Sequence, residues 1–265
     1  GVTQHRLLPL IQITSLTGVP GLSFIIVWAS VSLMFSLLAL ATAPRQRMLA
    51  WREICLPLLT VIVLFAWGSF RIGKIDRAIA ADSRGVKIAL VQPSFPQTLI
   101  WDQGTGSNRF DTMIELSREA LEADPDILIW PEAGIPGLLR YDETIYEAVT
   151  GLAKKHGVWI ICSGDDARFP EDNPDAKNPN YYNSAFLVTP EGEIASQYDK
   201  RRLVMFGEYV PLFKWLPFLK FLTPIGDGFM GGDQAVQLSF GDLNLKASPL
   251  ICFEDVFAAL TRGAV

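Results

Sequence analysis

The chain has 265 residues, of which 49% are hydrophobic and only 19% charged, whereas ordinary globular proteins carry about 25% charged residues. Residues 1–84 hold eight Lys and Arg against three Asp and Glu, while residues 85–265 hold 15 against 25. The high apolar content excludes a disordered chain. The acidic second part argues against a nucleic-acid partner, which would need a basic surface. We therefore expect a membrane region over residues 1–84 and a soluble domain over residues 85–265.

Two apolar runs in the first part predict membrane spans. Residues 21–43 contain no charged residue, and as a helix of about 34 Å they would cross the hydrocarbon core of a bilayer. Residues 54–70 would reach only about 25 Å, so a buried core helix is the competing interpretation of this second run. The loop over 44–53 carries three Arg, and the segment after the second run carries four Lys or Arg. The positive-inside rule therefore leaves the orientation open.

Alternating patterns in the second part predict an α/β fold. The expected elements are a buried strand at 87–92, a helix at 107–123, a strand at 126–130, a helix at 143–156 and a strand at 158–162. Asp142 is a suitable N-cap for the second helix, and Gly157 stands just past its end. A polar loop follows over 165–180. Two hairpins are then expected, 183–188 with 194–198 and 235–240 with 243–252. This mixture predicts a layered sandwich with a mixed sheet.

An aromatic stretch over residues 211–229 departs from the globular pattern, because prolines and lysines interrupt a run rich in Phe and Trp. Two interpretations remain open. The stretch could be a lid whose aromatic side chains, among them Trp215, Phe218 and Phe221, enter lipid. It could equally be a segment that packs in the core.

Three cysteines and two histidines are the candidates for nucleophilic or metal chemistry. Cys55 lies in the second apolar run and Cys162 ends a strand, so both are interpreted as small hydrophobic residues. Cys252 ends a predicted strand where a helix begins, and a positive helix N-terminus can lower the pKa of a thiol. On this local evidence alone, a buried structural cysteine remains the favoured interpretation. His5 and His156 lie in no motif. A Cys–His pair is therefore not favoured, and the Cys and His residues lack the spacing of a zinc site.

An acid and a cation also stand at expected strand ends. Glu132 directly follows the apolar strand ILIW and Pro131, and Lys200 lies in YDKRRLVMFGEYVP. Each could simply be a solvated loop residue. Together with Cys252, however, they form a chemically complete set. Glu132 could accept the thiol proton, Lys200 could stabilise an oxyanion, and Cys252 could form a thioester.

The motifs WPE, YDK with FGEYVP after it, and ICFED, in this order, resemble the Glu-Lys-Cys triad of the nitrilase, or carbon–nitrogen hydrolase, superfamily. More narrowly, the segments QITSLTGVPGLSFII, VQPSFPQTLIWD and LVMFGEYVPL are similar to the family of bacterial apolipoprotein N-acyltransferases. The resemblance implies a nitrilase-like α-β-β-α sandwich preceded by two transmembrane helices. It also implies that the chain is a fragment, which lacks earlier spans and the C-terminal part of the catalytic domain.

The resemblance further implies a role for each matching residue. Glu132 would be the general base and acid, Lys200 the oxyanion stabiliser and Cys252 the nucleophile. Two more acids are expected in the active site, Glu208 orienting the lysine and Glu254 in a supporting role. The residues expected at the substrate entrance and its mobile lid are Trp101, Trp215, Phe218 and Phe221.

The implied reaction is a ping-pong transfer of a fatty acyl chain through a thioester on Cys252. The donor would be a membrane phospholipid, phosphatidylethanolamine, and the acceptor the N-terminal α-amine of the diacylglyceryl-cysteine of apolipoproteins. This is the final step of bacterial lipoprotein maturation, and it needs no metal and no cofactor. The resemblance places a multi-pass protein in the bacterial inner (plasma) membrane, with its catalytic domain in the periplasm. A membrane-tethered amidase or nitrilase for small C–N substrates, and an inactive lipid-binding remnant, remain alternatives.

Overall fold

The computed structural model describes residues 2–42, 47–81, 85–96, 106–170, 178–212 and 228–264. The chain divides into two compact units. The first unit holds the residues up to Gly85 and the short stretch Val256–Ala259. The second unit holds Val86–Asp255 and the residues from Leu260 onwards.

The first unit is helical. Its helices are a 3-10 helix over Val2–Gln4, α1 (Leu8–Ile11), α2 (Thr14–Thr42) and α3 (Arg47–Ala81). Helix α2 is kinked at Gly18, whose φ of 68° lies in the left-handed region that glycine adopts without strain. A Cβ atom on Gly68 would lie 1.8 Å from the carbonyl oxygen of Pro9, so the close approach of α1 to α3 requires glycine there. Arg71 of α3 donates a 2.7 Å hydrogen bond to Ser15 Oγ of α2.

Two helices of this unit are long and apolar enough to cross a membrane. They are Thr14–Thr42, with a mean hydropathy of 2.3, and Trp51–Ala81, with a mean hydropathy of 1.9. Only 11% of the apolar window of each helix is buried, so the second run is not a core helix in this structure. Both helices extend beyond the predicted runs. Residues 47–53, expected in a loop, belong to α3.

The second unit is built on a five-stranded mixed sheet in the order β1-β2-β3-β4-β5. Its strands are β1 (Ile88–Leu90), β2 (Ile127–Ile129), β3 (Trp159–Arg168), β4 (Asn180–Val188) and β5 (Ile194–Asp199). The first three strands run parallel, whereas β4 is antiparallel to both β3 and β5. A hairpin of β6 (Leu238–Phe240) and β7 (Leu245–Ala247) forms a second sheet.

Two amphipathic helices cover one face of the large sheet. They are α4 (Gly106–Leu121) and α5 (Glu143–His156). The Asp142 side chain caps α5 by accepting a hydrogen bond from the N–H of Ile145, and Gly157 ends the helix in the left-handed conformation. Both caps confirm the sequence prediction. The chain continues after β7 into a 3-10 helix over Cys252–Val256 and then α6 (Ala258–Ala264).

Alternate residues of the central strands face two different cores. Ile160 of β3 and Phe186 of β4 pack with the helices, whereas Trp159 and Leu187 pack with Phe240 of the β6–β7 hairpin. This period of two is the pattern of a sheet that is buried on both faces. The described residues therefore build successive helix, sheet and sheet layers, which confirms the predicted α/β class with a mixed sheet.

Three predicted elements need correction. Strand β1 lies at the sheet edge and is not buried on both faces, since Ile88 and Leu90 are exposed. The polar loop predicted over 165–180 is partly sheet, because β3 continues to Arg168 and pairs there with Asn180 of β4. Strand β7 ends at Ala247, so residues 248–251 do not carry the strand to the cysteine.

Candidate active site

The position of Glu132 is set by the packing of Trp130, two residues before it. Trp130 is buried and donates a hydrogen bond from Nε1 to Ser117 Oγ at 2.9 Å. Its ring also meets the edge of Phe110, with 6.2 Å between the ring centroids. Both partners belong to α4, so this helix anchors the end of β2. Ala133 then adopts a φ of 54°, and the Glu132 side chain is 36% exposed.

Lys200 follows β5 and is one of the most deeply buried charges of the second unit, with a side chain only 1% exposed. Its Nζ donates a 2.7 Å hydrogen bond to Glu208 Oε1 and lies 3.4 Å from Glu132 Oε1. Burial alone would lower the pKa of Lys200. The hydrogen bond to Glu208 and the charges of Glu132 and Glu208 outweigh burial and raise that pKa above its ordinary value. The alternative of a solvated basic turn is wrong.

Asn183 of β4 connects the two carboxylates, and the sequence analysis missed it. Its Nδ2 donates hydrogen bonds to Glu132 Oε1 at 2.9 Å and to Glu208 Oε1 at 3.2 Å. The backbone carbonyl oxygen of Asn183 accepts the backbone N–H of Lys200 at 2.9 Å. The other Glu208 oxygen accepts the N–H of Val204 at 2.9 Å. One amide therefore fixes the positions of both partners of the lysine.

Cys252 begins the short 3-10 helix and has a φ of 54°, a sparsely populated conformation for a residue with a side chain. Its thiol lies in the same cavity as the Glu132 carboxylate. Burial, followed by the interaction of the thiol with Glu132 and the negative charge of that residue, raises the pKa of the Cys252 thiol, while Lys200 opposes the shift. A helix N-terminus does not bring this pKa below its ordinary value, since the helix that begins here is a five-residue 3-10 helix.

Glu254 lies two residues past the cysteine and is fully buried. Its Oε1 accepts the backbone N–H groups of Arg201 and Arg202 at 2.8 and 2.9 Å. Its Oε2 accepts the Tyr198 hydroxyl at 2.7 Å and the N–H of Ile251 at 3.0 Å. Burial and the hydrogen bond to Glu254 raise the pKa of Tyr198, so this hydroxyl stays protonated and donates. The carboxylate thus ties the cysteine segment to the lysine segment.

The remaining predicted residues lie apart from this cluster or outside the described part of the chain. Cys162 is fully buried, and burial raises its pKa to about 12, as fits a core residue. Cys55 is a free, exposed cysteine on α3. The predicted entrance and lid residues Trp101, Trp215, Phe218 and Phe221 lie outside the described residues.

A cavity of about 670 Å³ brings the functional groups together. Glu132, Lys200 and Cys252 all line it, as do Asn183 and Glu208. A thiol beside a carboxylate base and a fixed cation is the arrangement needed for nucleophilic acyl transfer. Among the described residues, no group of three or more His, Cys, Asp or Glu side chains is placed to hold a metal ion.

The rest of the cavity lining is partly apolar and partly charged. Ile135, Val204 and Phe229 provide apolar surface, and Arg109 and Asp165 are two further charged residues. Burial raises the pKa of Asp165. Neither charged residue was predicted from the sequence, because nothing in their local motifs distinguishes them from other polar residues of a helix or a strand.

Comparisons with known proteins agree with the motifs. The carbon–nitrogen hydrolase family model matches residues 87–264. An apolipoprotein N-acyltransferase of Geobacter metallireducens is 34% identical over 267 residues, which cover 100% of this chain and 49% of that protein. A protein of the same name from Bradyrhizobium diazoefficiens is 28% identical over 264 residues, covering 97% of this chain and 47% of that protein.

Solved structures similar to the chain include a cysteine-to-alanine mutant of an amidase of the nitrilase superfamily from Nesterenkonia AN1. It has a TM-score of 0.46 and 18% sequence identity, and covers 69% of this chain and 62% of that chain. The chain spans about half the length of the curated relatives it matches. The family model and the named relatives confirm the resemblance inferred from the motifs and the predicted nitrilase-like fold class.

Proposed function

This chain belongs to the carbon–nitrogen hydrolase family, and we propose that it contains the catalytic domain of a phospholipid-dependent N-acyltransferase of apolipoproteins. The observation that carries the proposal is the meeting of Cys252, Glu132 and Lys200 in one cavity, where the Lys200 ammonium lies 3.4 Å from the Glu132 carboxylate. The similarity to relatives named apolipoprotein N-acyltransferase supports the substrate class.

In the first half-reaction, Glu132 accepts the proton of the Cys252 thiol as Sγ attacks the carbonyl carbon of a phospholipid ester. The S–C bond forms and the ester C–O bond breaks. The departing lysophospholipid oxygen takes the proton back from Glu132. The Lys200 ammonium, held by Glu208, stabilises the negative oxygen of the tetrahedral intermediate.

In the second half-reaction, the neutral α-amine of a diacylglyceryl-cysteine attacks the thioester carbonyl. Glu132 accepts one proton from this nitrogen as the N–C bond forms, and the S–C bond then breaks. The Cys252 thiolate regains its proton from Glu132, which restores the starting state. The two substrates and the three side chains account for every atom and proton, and the reaction involves no redox step. It is ping-pong because the acyl group is held on Cys252 between the two half-reactions.

The proposed location follows from the substrates. Both carry acyl chains, which suits a protein with two helices long and apolar enough to cross a bilayer. We place the protein in the bacterial inner membrane as a multi-pass protein, with the catalytic domain on the periplasmic side. Its partners are then a phospholipid donor such as phosphatidylethanolamine, and a diacylated apolipoprotein acceptor. The resemblance to bacterial apolipoprotein N-acyltransferases supports this arrangement.

Mass spectrometry of the full-length protein, incubated with labelled phosphatidylethanolamine, tests the proposal. We expect a fatty acyl adduct on Cys252 that disappears when a diacylated lipopeptide with a free N-terminus is added, as the N-acylated lipopeptide appears. Cys55→Ala is the matched control and should retain the adduct, because Cys55 is also free and exposed but lies on α3. Failure to form any adduct, or turnover of small amides in its place, would count against the acyltransferase.

A further inference from the structure

We propose that Arg109 binds the phosphodiester of the acyl donor inside the catalytic cavity, and that it thereby selects phospholipids over uncharged acyl esters. The inference rests on the proposed acyl transfer and adds a residue that recognises the donor. Arg109 lies in the first turn of α4 and lines the same cavity as Cys252 and Lys200.

The core packing of α4 places Arg109 beside the loop that follows β2 and carries Glu132. The next residue, Phe110, is buried against Trp130, which stands two residues before Glu132. At the start of the helix, a Cβ atom on Gly106 would lie 3.3 Å from the Cβ of Pro136, just past the same loop. These contacts fix the rotation and the height of the first turn, so the position of the guanidinium at the cavity is a consequence of the fold.

The charges of the cavity leave Arg109 available for a ligand. The Lys200 ammonium is already engaged by Glu208 and Glu132. Arg109, in contrast, has a buried Nε that lacks a hydrogen-bond partner among the described residues. Asp165 is another acid of the lining, and it forms no ion pair with Arg109 in the part of the chain that the structure describes. A buried donor without an acceptor is unfavourable until a ligand supplies one.

The chemistry of the two substrates indicates which ligand this is. A guanidinium presents a planar fork of N–H donors that matches two oxygens of a phosphate. The donor phospholipid carries such an anion on the glycerol that leaves with the lysophospholipid. The reacting end of the acceptor is an amine, for which a cation has no affinity. Arg109 should therefore act in the formation of the thioester and have no part in its consumption.

The rate of Cys252 acylation, followed by mass spectrometry of the full-length protein, tests this assignment with two donors. With limiting phosphatidylethanolamine, Arg109→Gln should slow acylation by about tenfold or more, the loss expected for a charge-assisted hydrogen bond. With an uncharged p-nitrophenyl acyl ester, the same variant should react within about twofold of the wild type. Arg109→Lys should recover part of the rate with the phospholipid. Transfer from the preformed thioester to a lipopeptide should not change.

Arg118→Gln is the matched control, since Arg118 is an exposed cation in the last turn of the same helix. It should leave both rates unchanged. An Arg109→Gln variant that loses activity equally with both donors, or that keeps the full rate with the phospholipid, overturns the proposal. Inorganic phosphate gives a second readout: at millimolar concentration it should slow acylation by the phospholipid in the wild type and have less effect on Arg109→Gln. Equal slowing of both proteins would count against a phosphate site at Arg109. A wild-type protein that forms no thioester with any phospholipid would instead refute the proposed function.

Discussion

Glu254→Gln should damage the active site without altering any group that touches a substrate. The buried carboxylate accepts hydrogen bonds from the backbone N–H groups of Arg201 and Arg202 on one oxygen. Its other oxygen accepts the hydroxyl of Tyr198 and the N–H of Ile251. These four bonds hold the segment before Cys252 against the segment that carries Lys200. Loss of any of them should loosen both segments together.

The size of the effect follows from the geometry of the amide. Glutamine keeps the shape of Glu254 but replaces one acceptor oxygen with an NH₂ donor. In the better orientation the NH₂ faces the Tyr198 hydroxyl, which can rotate and accept, while the N–H of Ile251 is left without an acceptor. A buried unsatisfied N–H costs about 1–3 kcal/mol, and the loss of charge assistance weakens the other bonds by about 1 kcal/mol. We expect the free energy of unfolding to fall by about 2–4 kcal/mol.

Thermal unfolding of the purified protein, followed by tryptophan fluorescence, measures this loss. The change corresponds to a melting temperature lower by about 5–15 °C for a unit of this size. Acylation of Cys252 should slow in parallel. Asp255→Asn is the matched control, because Asp255 is the next residue and is exposed. A Glu254→Gln protein that melts with the wild type, or an Asp255→Asn protein that melts equally early, would show that the four hydrogen bonds do not have this role.

Three further changes test the charges and the close packing of the site. Burial and the Glu132 carboxylate raise the pKa of Cys252, so Glu132→Gln should move the midpoint of its alkylation by iodoacetamide to lower pH, as read by peptide mass spectrometry; an upward shift would contradict the electrostatics. Lys200→Met leaves two carboxylates without their cation and should cost about 3–5 kcal/mol of stability, so an unchanged melting temperature would refute the buried ion pair. Gly232→Ala places a Cβ atom 2.5 Å from the carbonyl oxygen of the last residue of β5 and should cost about 1–3 kcal/mol. Gly241→Ala meets nothing within 4 Å and should change stability by less than about 0.5 kcal/mol; equal melting temperatures for the two alanine variants would contradict the steric argument.

Local signals were sufficient to predict the elements that frame the site. Helix α5 begins at the cap of Asp142 and ends at Gly157, as the sequence indicated. The hairpin of β4 and β5 turns at Gly192, whose φ of 82° requires a glycine-like conformation. Caps and turns depend on a few neighbouring residues, so a single sequence contains the information needed to predict them.

The environment of the site could not be predicted in the same way. Lys200 precedes two arginines, a pattern typical of a solvated turn, yet its side chain is buried and donates a hydrogen bond to Glu208. Asn183 lies on β4, which pairs with β3, whereas Glu132 follows the end of β2. The two side chains meet only because the sheet brings these distant parts of the sequence together. The exposure of Leu90 depends on β1 being at the edge of the sheet. Each of these facts is a property of tertiary contacts, which no local pattern records.

The charge states around Cys252 decide which group can move protons. Its neighbours Glu132 and Glu208 raise the pKa of Lys200 against the effect of burial, so the amine remains an ammonium at neutral pH. An ammonium has no lone pair to accept a proton, and in the proposed reaction its charge stabilises the oxyanion. Glu132 is partly exposed and lines the same cavity as the thiol. In the proposed mechanism the same carboxylate therefore serves both half-reactions, while Asn183 and the lysine hold it in position.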